Sequence, residues 1–295
     1  MIWQLFAILA AALWAGVNIV DKHIVSRYVT NPLVMLSLSG VVSVLIAVAL
    51  GSLGLVRGIP NDLKLLAILG GMLNIVAAIF YFRAITMDEI SRLAPLFHVL
   101  PLFTALFAAV FLGEVFTTRT YIGVVVIVVG AILLSPKETG RRLRLSKAFW
   151  LIMLAAATVA IGNTAVKHTM GATTYWTVLF YIMIGQAIAL VPVLAYSFAD
   201  IKNTVRLHGK KVIKLLGLME LMDFCATFLF TMAMFLGYVT LVNSLAASQP
   251  LFLLLFAFIA SRWFPKILRE EVGTRVMAHK LIAVACIVGG VLLIS

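Results

Sequence analysis

Long apolar segments follow one another along almost the whole chain. Ten of them approach the length of about 20 residues that a helix needs to cross a bilayer. They cover roughly 3–24, 33–55, 63–85, 91–112, 119–135, 147–168, 173–197, 212–236, 239–262 and 277–295. Because these runs are continuous rather than alternating, they favour helices over the strands of a membrane barrel. The longest connections are Pro136–Ser146, Ala199–Lys211 and Pro265–Val276, too short for a soluble domain.

The composition agrees with a protein whose solvent is the bilayer. Of 295 residues, 63% are hydrophobic and 12% are charged, whereas soluble domains carry about 25% charged residues. No soluble core can hide so much apolar surface from water. The first apolar segment begins directly after Met1 without a basic region, which is typical of a membrane helix rather than a cleaved signal peptide. We therefore expect a multi-pass protein of the cell membrane.

The net charge of +12 indicates topology rather than nucleic acid. The Lys and Arg residues lie in short connections, and no basic domain with interleaved aromatic residues accompanies them. With ten helices, the connections on the side of both termini hold four Lys and Arg residues and the opposite connections hold nineteen. The positive-inside rule then places both termini outside the cytoplasm.

The second half of the chain repeats the first. An Asn-x-x-x-Lys-His unit at Asn18 recurs 145 residues later at Asn163. A Pro-Leu-Phe run at Pro101 recurs 149 residues later at Pro250, and the run that ends at Ser135 recurs 160 residues later. Three matches in one order indicate a duplication with small insertions.

The duplication sets the expected fold class. Each repeat holds five helices, an odd number, so the second repeat enters the membrane from the opposite side. We therefore expect an all-α integral membrane protein with ten transmembrane helices, arranged as two inverted five-helix repeats. The units are 2–135 with helices 1–5, a basic linker at 136–146, and 147–295 with helices 6–10. Such folds place a substrate site between the repeats near the bilayer midplane.

Two acids inside the eighth segment are the sharpest polar signal. Glu220 and Asp223 lie on adjacent turns of one helix face, and each costs about 2.5–3.5 kcal/mol to insert near a helix centre. Facing a cavity, they would bind a cationic substrate or exchange a proton. The alternative is that one or both are neutral, or are paired structurally with Arg83 or a lysine. The first repeat carries Gly71 and Asn74 at the equivalent place.

Other polar and aromatic side chains complete the candidate cavity. Asn18 and Asn163 each share a helix face with a lysine four residues later, although Lys22 and Lys167 lie near helix ends, where snorkelling to headgroups is the alternative. His98 would exchange protons or make an interhelical hydrogen bond. The substrate-binding candidates are Trp14, Asn18, Asn74, Tyr81, His98, Asn163, Glu220, Asp223 and Gln249, with Glu220 and Asp223 as the proton-coupling candidates.

Two prolines interrupt apolar segments. Pro101 and Pro250 should kink helices four and nine, which frees backbone carbonyls. Their role is either gating of the cavity or an inert bend. The cysteines, Cys225 and Cys286, both lie in apolar segments and are interpreted as small hydrophobic residues.

The segment from Ser91 to Glu114, with its prolines and its terminal Gly-Glu, followed by Gly123 to Gly130, resembles the EamA-type drug/metabolite transporters. The ten-helix duplicated plan is similar as well, over nearly the whole chain. The resemblance implies a secondary transporter of small organic molecules, often an exporter, with a cavity lined by helices one, three, four, six, eight and nine. Glu114 is otherwise interpreted as a solvated carboxylate at a helix end. The second repeat departs from the pattern, with Arg262-Trp263 in place of Gly-Glu and with Ser244 and Ala247 where the first has Pro95 and His98.

The predicted function is therefore secondary transport, as an exporter or exchanger, of a small metabolite or drug-like molecule by alternating access. Proton coupling is a further hypothesis. Flipping of a polyprenyl-linked lipid carrier is the alternative within transport. A membrane-embedded lipid enzyme is the rival class, and it would need groups such as His168, His208, Glu270, Glu271 and His279 at the interface.

Several chemistries lack a sequence signal. The chain has no nucleotide-binding loop, no metal-ligand spacing of His and Cys, and no Gly-x-Ser-x-Gly elbow. We therefore expect no cofactor, no metal and no enzymatic activity. A monomer would suffice, since one chain holds both repeats.

Overall fold

The computed structural model describes residues 2–29, 31, 33–88, 93, 96–134, 146–263 and 274–294. Within these ranges the regular elements are all α-helices. They are α1 (Ile2–Arg27), α2 (Leu33–Ser52), α3 (Asn61–Ile85), α4 (Leu100–Leu112), α5 (Thr118–Leu134), α6 (Lys147–Met170), α7 (Tyr175–Leu236), α8 (Val239–Ala246), α9 (Gln249–Trp263) and α10 (Thr274–Ile294). The predicted linker 136–146 lies outside the described residues except for Ser146, and so does most of Pro265–Val276.

Six described helical segments are long and apolar enough to cross a membrane. They are Ile2–Asp21, Leu33–Ser52, Asn61–Ile85, Lys147–Met170, Tyr175–Leu236 and Val239–Phe256. Three shorter apolar helices are Leu100–Leu112, Thr118–Leu133 and Lys280–Ile294. Large apolar side chains remain exposed on the outside of the bundle, among them Val48 (64%) and Val110 (67%). An all-helical, multi-pass membrane protein accounts for both observations.

The long helix α7 corrects one sequence prediction. The predicted loop Ala199–Lys211 is helical, and only Gly209 within α7 leaves helical geometry, with φ 58° and ψ −144°. A positive φ is accessible to glycine because it lacks Cβ. The hydroxyl of Tyr175 donates to the carbonyl of Phe228, 2.9 Å away, although the two residues are 53 apart, or about 80 Å along a straight helix. The chain therefore folds back at Gly209 into a first arm, 175–208, and a second arm, 210–236.

The fourth and ninth predicted helices are broken rather than kinked. A turn at His98 and Val99 precedes α4, whose second residue is Pro101. A turn at residues 247–248 separates α8 from α9, whose second residue is Pro250. Proline is tolerated in the first turn of a helix because its missing N–H has no intrahelical partner there. Each predicted kink is thus the start of a new helix.

Glycines permit the closest helix contacts. A Cβ on Gly70 of α3 would lie 2.9 Å from the carbonyl oxygen of Gly162 in α6. In the same way, a Cβ on Gly123 of α5 would lie 3.0 Å from the carbonyl oxygen of Gly290 in α10. Small residues let membrane helices pack backbone against backbone, where dispersion replaces the absent hydrophobic effect. The principal helix pairs are α3 with α6, α5 with α10, and α7 with α1, α2 and α3.

The two ends of the bundle are held by different contacts. At one end, called the Trp3 end, the indole of Trp3 packs on Gly237, where an added Cβ would lie 2.8 Å away. At the other, called the Tyr28 end, the ring of Tyr28 meets His208 edge to face at 5.0 Å. Asn31 also donates to Asp200 there, at 2.7 Å. The candidate site lies between these ends.

Candidate functional site

Three carboxyl groups converge where α1 meets the second arm of α7. Glu220 and Asp223 are one turn apart on α7, and Asp21 lies in the last third of α1. The charge of Asp223 acts on both Asp21 and Glu220, and that of Asp21 acts on Glu220. Packing α1 against α7 thus assembles an acidic cluster from two distant parts of the chain.

Asp223 is fixed by an aromatic partner on α1. The indole Nε1 of Trp14 donates to Oδ1 of Asp223 at 3.0 Å. The Trp14 ring also packs on Phe230 with a centroid separation of 5.2 Å. Trp14 and Asp21 are seven residues apart, which is two turns, and therefore share one face of α1. That face presents both residues to the second arm of α7.

Glu220 turns towards a different helix. Its side chain is 3% exposed, and Oε1 accepts a 2.9 Å hydrogen bond from Ser39 of α2. Arg83, the partner predicted in the structural alternative, is exposed. Among the described residues, the hydrogen-bond partner of Glu220 is therefore the hydroxyl of Ser39 and not Arg83.

A small cavity of about 20 Å³ adjoins the two α7 acids, enough for about one water molecule. Its wall is formed by α2 and both arms of α7, through Ser39, Val42, Ser43, Met183, Gln186, Glu220, Asp223, Phe224 and Thr227. Ser43 donates to Gln186 Oε1 at 3.0 Å. Hydroxyl, amide and carboxyl groups therefore meet on otherwise apolar walls, as in small-molecule sites.

Asp21 was missed in the sequence analysis. Its Oδ1 is buried and has no hydrogen-bond partner among the described residues, which is rare for a carboxylate oxygen, so a ligand or a proton could bind there. Tyr81 of α3 lies within electrostatic range of the Asp21 carboxyl group. Its ring packs edge to face on Phe97, with a centroid separation of 5.5 Å. The sequence signal was available, since Trp14, Asn18 and Asp21 follow helical spacing on one face.

The remaining candidate residues are not all brought to this cluster. Asn163 is buried and donates to Asn243 of α8 at 3.1 Å. Asn74 donates to its own helix, at Gly70 O and 3.0 Å. Asn18 is exposed, and Gln249 is partly buried at the start of α9. His98 is partly buried in the turn before α4.

Glu114 and Lys167 hold the turn that joins α7 to α8. Lys167 Nζ donates to the carbonyl oxygens of Met234 and Gly237, both at 2.7 Å. Glu114 Oε1 accepts from the amide of Val239 at 3.0 Å. Its Oε2 accepts from the amide and the hydroxyl of Thr240 at 3.2 and 3.0 Å. We name this arrangement the Glu114–Lys167 clasp.

The clasp corrects two interpretations drawn from the sequence. Glu114 is not a solvated carboxylate, because it is 7% exposed and its oxygens are occupied by backbone and hydroxyl donors. Lys167 does not snorkel to headgroups, because its ammonium binds carbonyls at the end of α7. The signal was the Gly-Glu pair: Gly113, with φ 68°, ends α4 in left-handed geometry and lets Glu114 turn inward.

Comparisons with known proteins bear on this architecture. Residues 1–135 match the model of the EamA-like transporter family. The "Uncharacterized transporter in cobO 3'region" of Sinorhizobium sp is 29% identical over 135 residues, or 45% of this chain and 96% of that protein. The "Probable terminal-alkyne amino-acid exporter" of Streptantibioticus cattleyicolor is 28% identical over 155 residues, or 52% of this chain and 51% of that protein. The chain thus matches about half the length of the second relative.

The fold itself also has a solved counterpart. A protein of known crystal structure superimposes with a TM-score of 0.70 over 99% of this chain and 94% of the other, at 18% identity. Identity that low shows a shared fold alone. The family match, the transporter relatives and the apolar helices together point to a membrane transporter rather than an enzyme. Over its residues 1–135, the chain is therefore similar to the EamA-like transporter family.

Proposed function

We propose that the protein is a secondary transporter that moves a small organic molecule with a cationic group across the membrane by alternating access. The observation that carries this proposal is the convergence of Asp21, Glu220 and Asp223 beside a small cavity within the helical bundle. Ionisable residues inside membrane helices are costly and usually mark substrate or proton pathways.

The substrate class follows from the chemistry of the site. Three carboxyl groups attract an ammonium or guanidinium group, and the indole of Trp14 adds an aromatic surface suited to a cation. One relative is named as a probable exporter of an amino acid, and amino acids carry an ammonium group. The same acids can take up a proton when the cation leaves, which would couple transport to a proton gradient.

Alternating access fits the proposed inverted repeats, with units at 2–135 and 147–295. Under the sequence offset of 160, Gly123 corresponds to Ala283 and Gly130 to Gly290. Gly123 packs on the carbonyl of Gly290, and Gly130 packs on the carbonyl of Ala283. These two contacts are exchanged by a two-fold operation, which is what an inverted duplication requires.

The number of crossings is consistent with ten helices. The six long apolar helices become seven crossings when the arms of α7 count separately, and the three shorter apolar helices bring the number to ten. The Sinorhizobium relative is matched over 96% of its length by 135 residues of this chain, which is about the length of one proposed unit. We also propose, from the count of basic residues, that both termini lie outside the cytoplasm.

Ligand-induced thermal stabilisation of the purified protein tests the substrate class. The panel is amino acids, polyamines, cationic drugs, sugars, nucleosides and polyprenyl phosphates. A ligand at 100 times its Kd stabilises the folded state by about 2.7 kcal/mol. We expect a cationic or zwitterionic ligand to stabilise the wild type, and Glu220→Gln or Asp223→Asn to lose that increment. Asp62→Asn, an exposed acid in the first turn of α3, is the matched control.

Flux into liposomes then separates transport from the other classes. Uptake of the stabilising ligand, unchanged in chemical form, supports secondary transport, and dependence on an imposed pH gradient supports proton coupling. Stabilisation by polyprenyl phosphates alone, indifferent to Glu220→Gln, would replace this proposal with lipid-carrier flipping. Conversion of the ligand without a gradient would indicate an enzyme.

A further inference from the structure

The Glu114–Lys167 clasp joins three separate elements at one turn. Glu114 follows the end of α4, Lys167 lies in the last turn of α6, and both bind backbone groups at residues 234–240. The last carbonyls of a helix and the first amides of the next have no intrahelical partner. An ammonium at the C-terminus of α7 and a carboxylate at the N-terminus of α8 satisfy them and complement both helix dipoles.

The clasp is the outer of two polar layers. Asn163 precedes Lys167 by one turn on α6, and Asn243 follows Val239 by one turn on α8. The hydrogen bond between Asn163 and Asn243 therefore lies one turn further along both helices than the clasp. Trp3 of α1 packs on Gly237 of the same turn. Helices α1, α4 and α6 thus meet at the Trp3 end around the turn that joins α7 to α8.

The face of α1 that carries the acidic site is closed towards the Trp3 end. Ala7 and Ala11 on this face are 0% exposed, whereas Asn18, further along towards the Tyr28 end, is exposed. On the Trp3 side, this face of α1 is therefore packed against neighbouring helices, and the clasp lies on that packed side.

The carboxylate of the clasp has no counterpart in the sequence of the second repeat. At the offset of 149, Trp263 stands where the first repeat has Glu114, so the carboxylate that would bind an α-helix N-terminus is missing from the sequence there. Among the described residues, the contacts at the Tyr28 end include the edge-to-face packing of Tyr28 on His208 and the hydrogen bond between Asn31 and Asp200. The two ends thus differ in the kind of contact that must break for each to open.

We propose that the Glu114–Lys167 clasp is the lock of a gate at the Trp3 end, which breaks when the site opens to that side of the membrane and reforms when it closes. This rests on the proposed function, because a lock is needed only if the two ends open alternately. Its groups suit repeated breaking: each bond joins a charged side chain to a polar group that water can solvate once the gate opens. Neither helix needs to unfold.

Thiol accessibility tests the lock without any substrate. The reporter is Ser244→Cys, an isosteric change at a residue that is 0% exposed and one turn beyond Thr240, in a chain whose native Cys225 and Cys286 are replaced by alanine. The full chain in nanodiscs is treated with a charged methanethiosulfonate reagent. We expect Lys167→Met and Glu114→Gln to raise the labelling rate at least tenfold. Because both substitutions weaken the same turn, the labelling rate of the double variant should be less than twice that of the faster single variant.

Two controls separate gate opening from general loosening. Lys64→Met removes a partly buried lysine that bonds to Asn61 at the surface, and it should leave the labelling rate unchanged. A second reporter, Ser197→Cys, is 0% exposed on the first arm of α7 near Asp200. In the lock variants its labelling should stay constant or fall, because opening one end favours closure of the other.

The outcomes are decisive in either direction. If a lock variant elutes as a folded protein and its Ser244→Cys reporter is labelled at the unchanged rate, the clasp is a permanent structural contact and not a lock. An equal rise at both reporters would show loosening and would also overturn the lock. Glu114→Gln keeps one acceptor oxygen and serves where Lys167→Met does not fold. Increased labelling without flux of any ligand would instead count against transport while leaving the moving gate intact.

Discussion

Trp14 and Asp223, 209 residues apart in the chain, are joined by a 3.0 Å hydrogen bond from indole Nε1 to carboxylate Oδ1. This bond ties the middle of α1 to the second arm of α7 and fixes the orientation of one acid in the cluster. It leaves Asp223 with acceptor capacity on its second oxygen, since a carboxylate has about four lone-pair sites. The indole therefore positions the acid without neutralising it.

Replacing Trp14 by phenylalanine should separate positioning from packing. The smaller ring of the Trp14→Phe variant can still contact Phe230, which lies 5.2 Å from the Trp14 ring, but the donor to Asp223 is lost. Hydrogen bonds to charged groups contribute about 1.5–3 kcal/mol, so we expect a lower melting temperature and weaker binding of the cationic ligand. Trp150→Phe, at a residue that is 60% exposed on α6, is the control. If the two variants have the same melting temperature and the same ligand affinity, Trp14 is not part of the site.

Asp21 should show a conflict between stability and function. Its Oδ1 is buried without a hydrogen-bond partner in the described part of the chain, and its charge opposes that of Asp223. Asp21→Asn removes the repulsion between the charges of Asp21 and Asp223, so it should raise the melting temperature of the empty protein. The same change removes one of three negative charges and should weaken cation binding. Thermal melts with and without ligand measure both effects.

The matched comparison for Asp21 is Asp62→Asn, which should move neither quantity. If Asp21→Asn makes the protein less stable than the wild type and leaves binding intact, Asp21 has a structural partner and does not bind the ligand.

Backbone contact between α3 and the first arm of α7 gives a sharper stability test. A Cβ on Gly185 would overlap the carbonyl oxygen of Ile68, and a Cβ on Gly71 would overlap that of Ile182. Overpacking typically costs about 1–3 kcal/mol, so Gly185→Ala should lower the melting temperature. Gly217 lies in the same helix with nothing within 4 Å of its added Cβ. Gly217→Ala should be neutral or stabilising by up to about 1 kcal/mol.

The sequence predicted the helical membrane fold well because hydropathy alone decides which segments leave water. It failed at 199–211, where polar and basic residues indicate a loop, because helical backbone bonding does not depend on apolar side chains. Gly209, with its positive φ, makes the reversal there. Asp21 was not predicted as a site residue because it lies beside Lys22 at the apparent end of an apolar segment, where charged residues are common. The clasp was not predicted because Glu114 and Lys167 bind mainly backbone groups, which a pattern of side chains does not reveal.

The buried amide pair provides the last test, since it lies one turn from the clasp. Asn163 Nδ2 donates to Asn243 Oδ1 at 3.1 Å, and Asn243 Nδ2 donates to Val239 O at 2.9 Å. Asn163→Ala and Asn243→Ala should each destabilise, and a double-mutant cycle should give a coupling of about 0.5–1.5 kcal/mol. Within membranes such bonds average about 0.6 kcal/mol, because the unfolded chain also finds partners. A coupling near zero would mean that the two amides contribute independently, and the inner polar layer would then offer no resistance to opening of the Trp3 end.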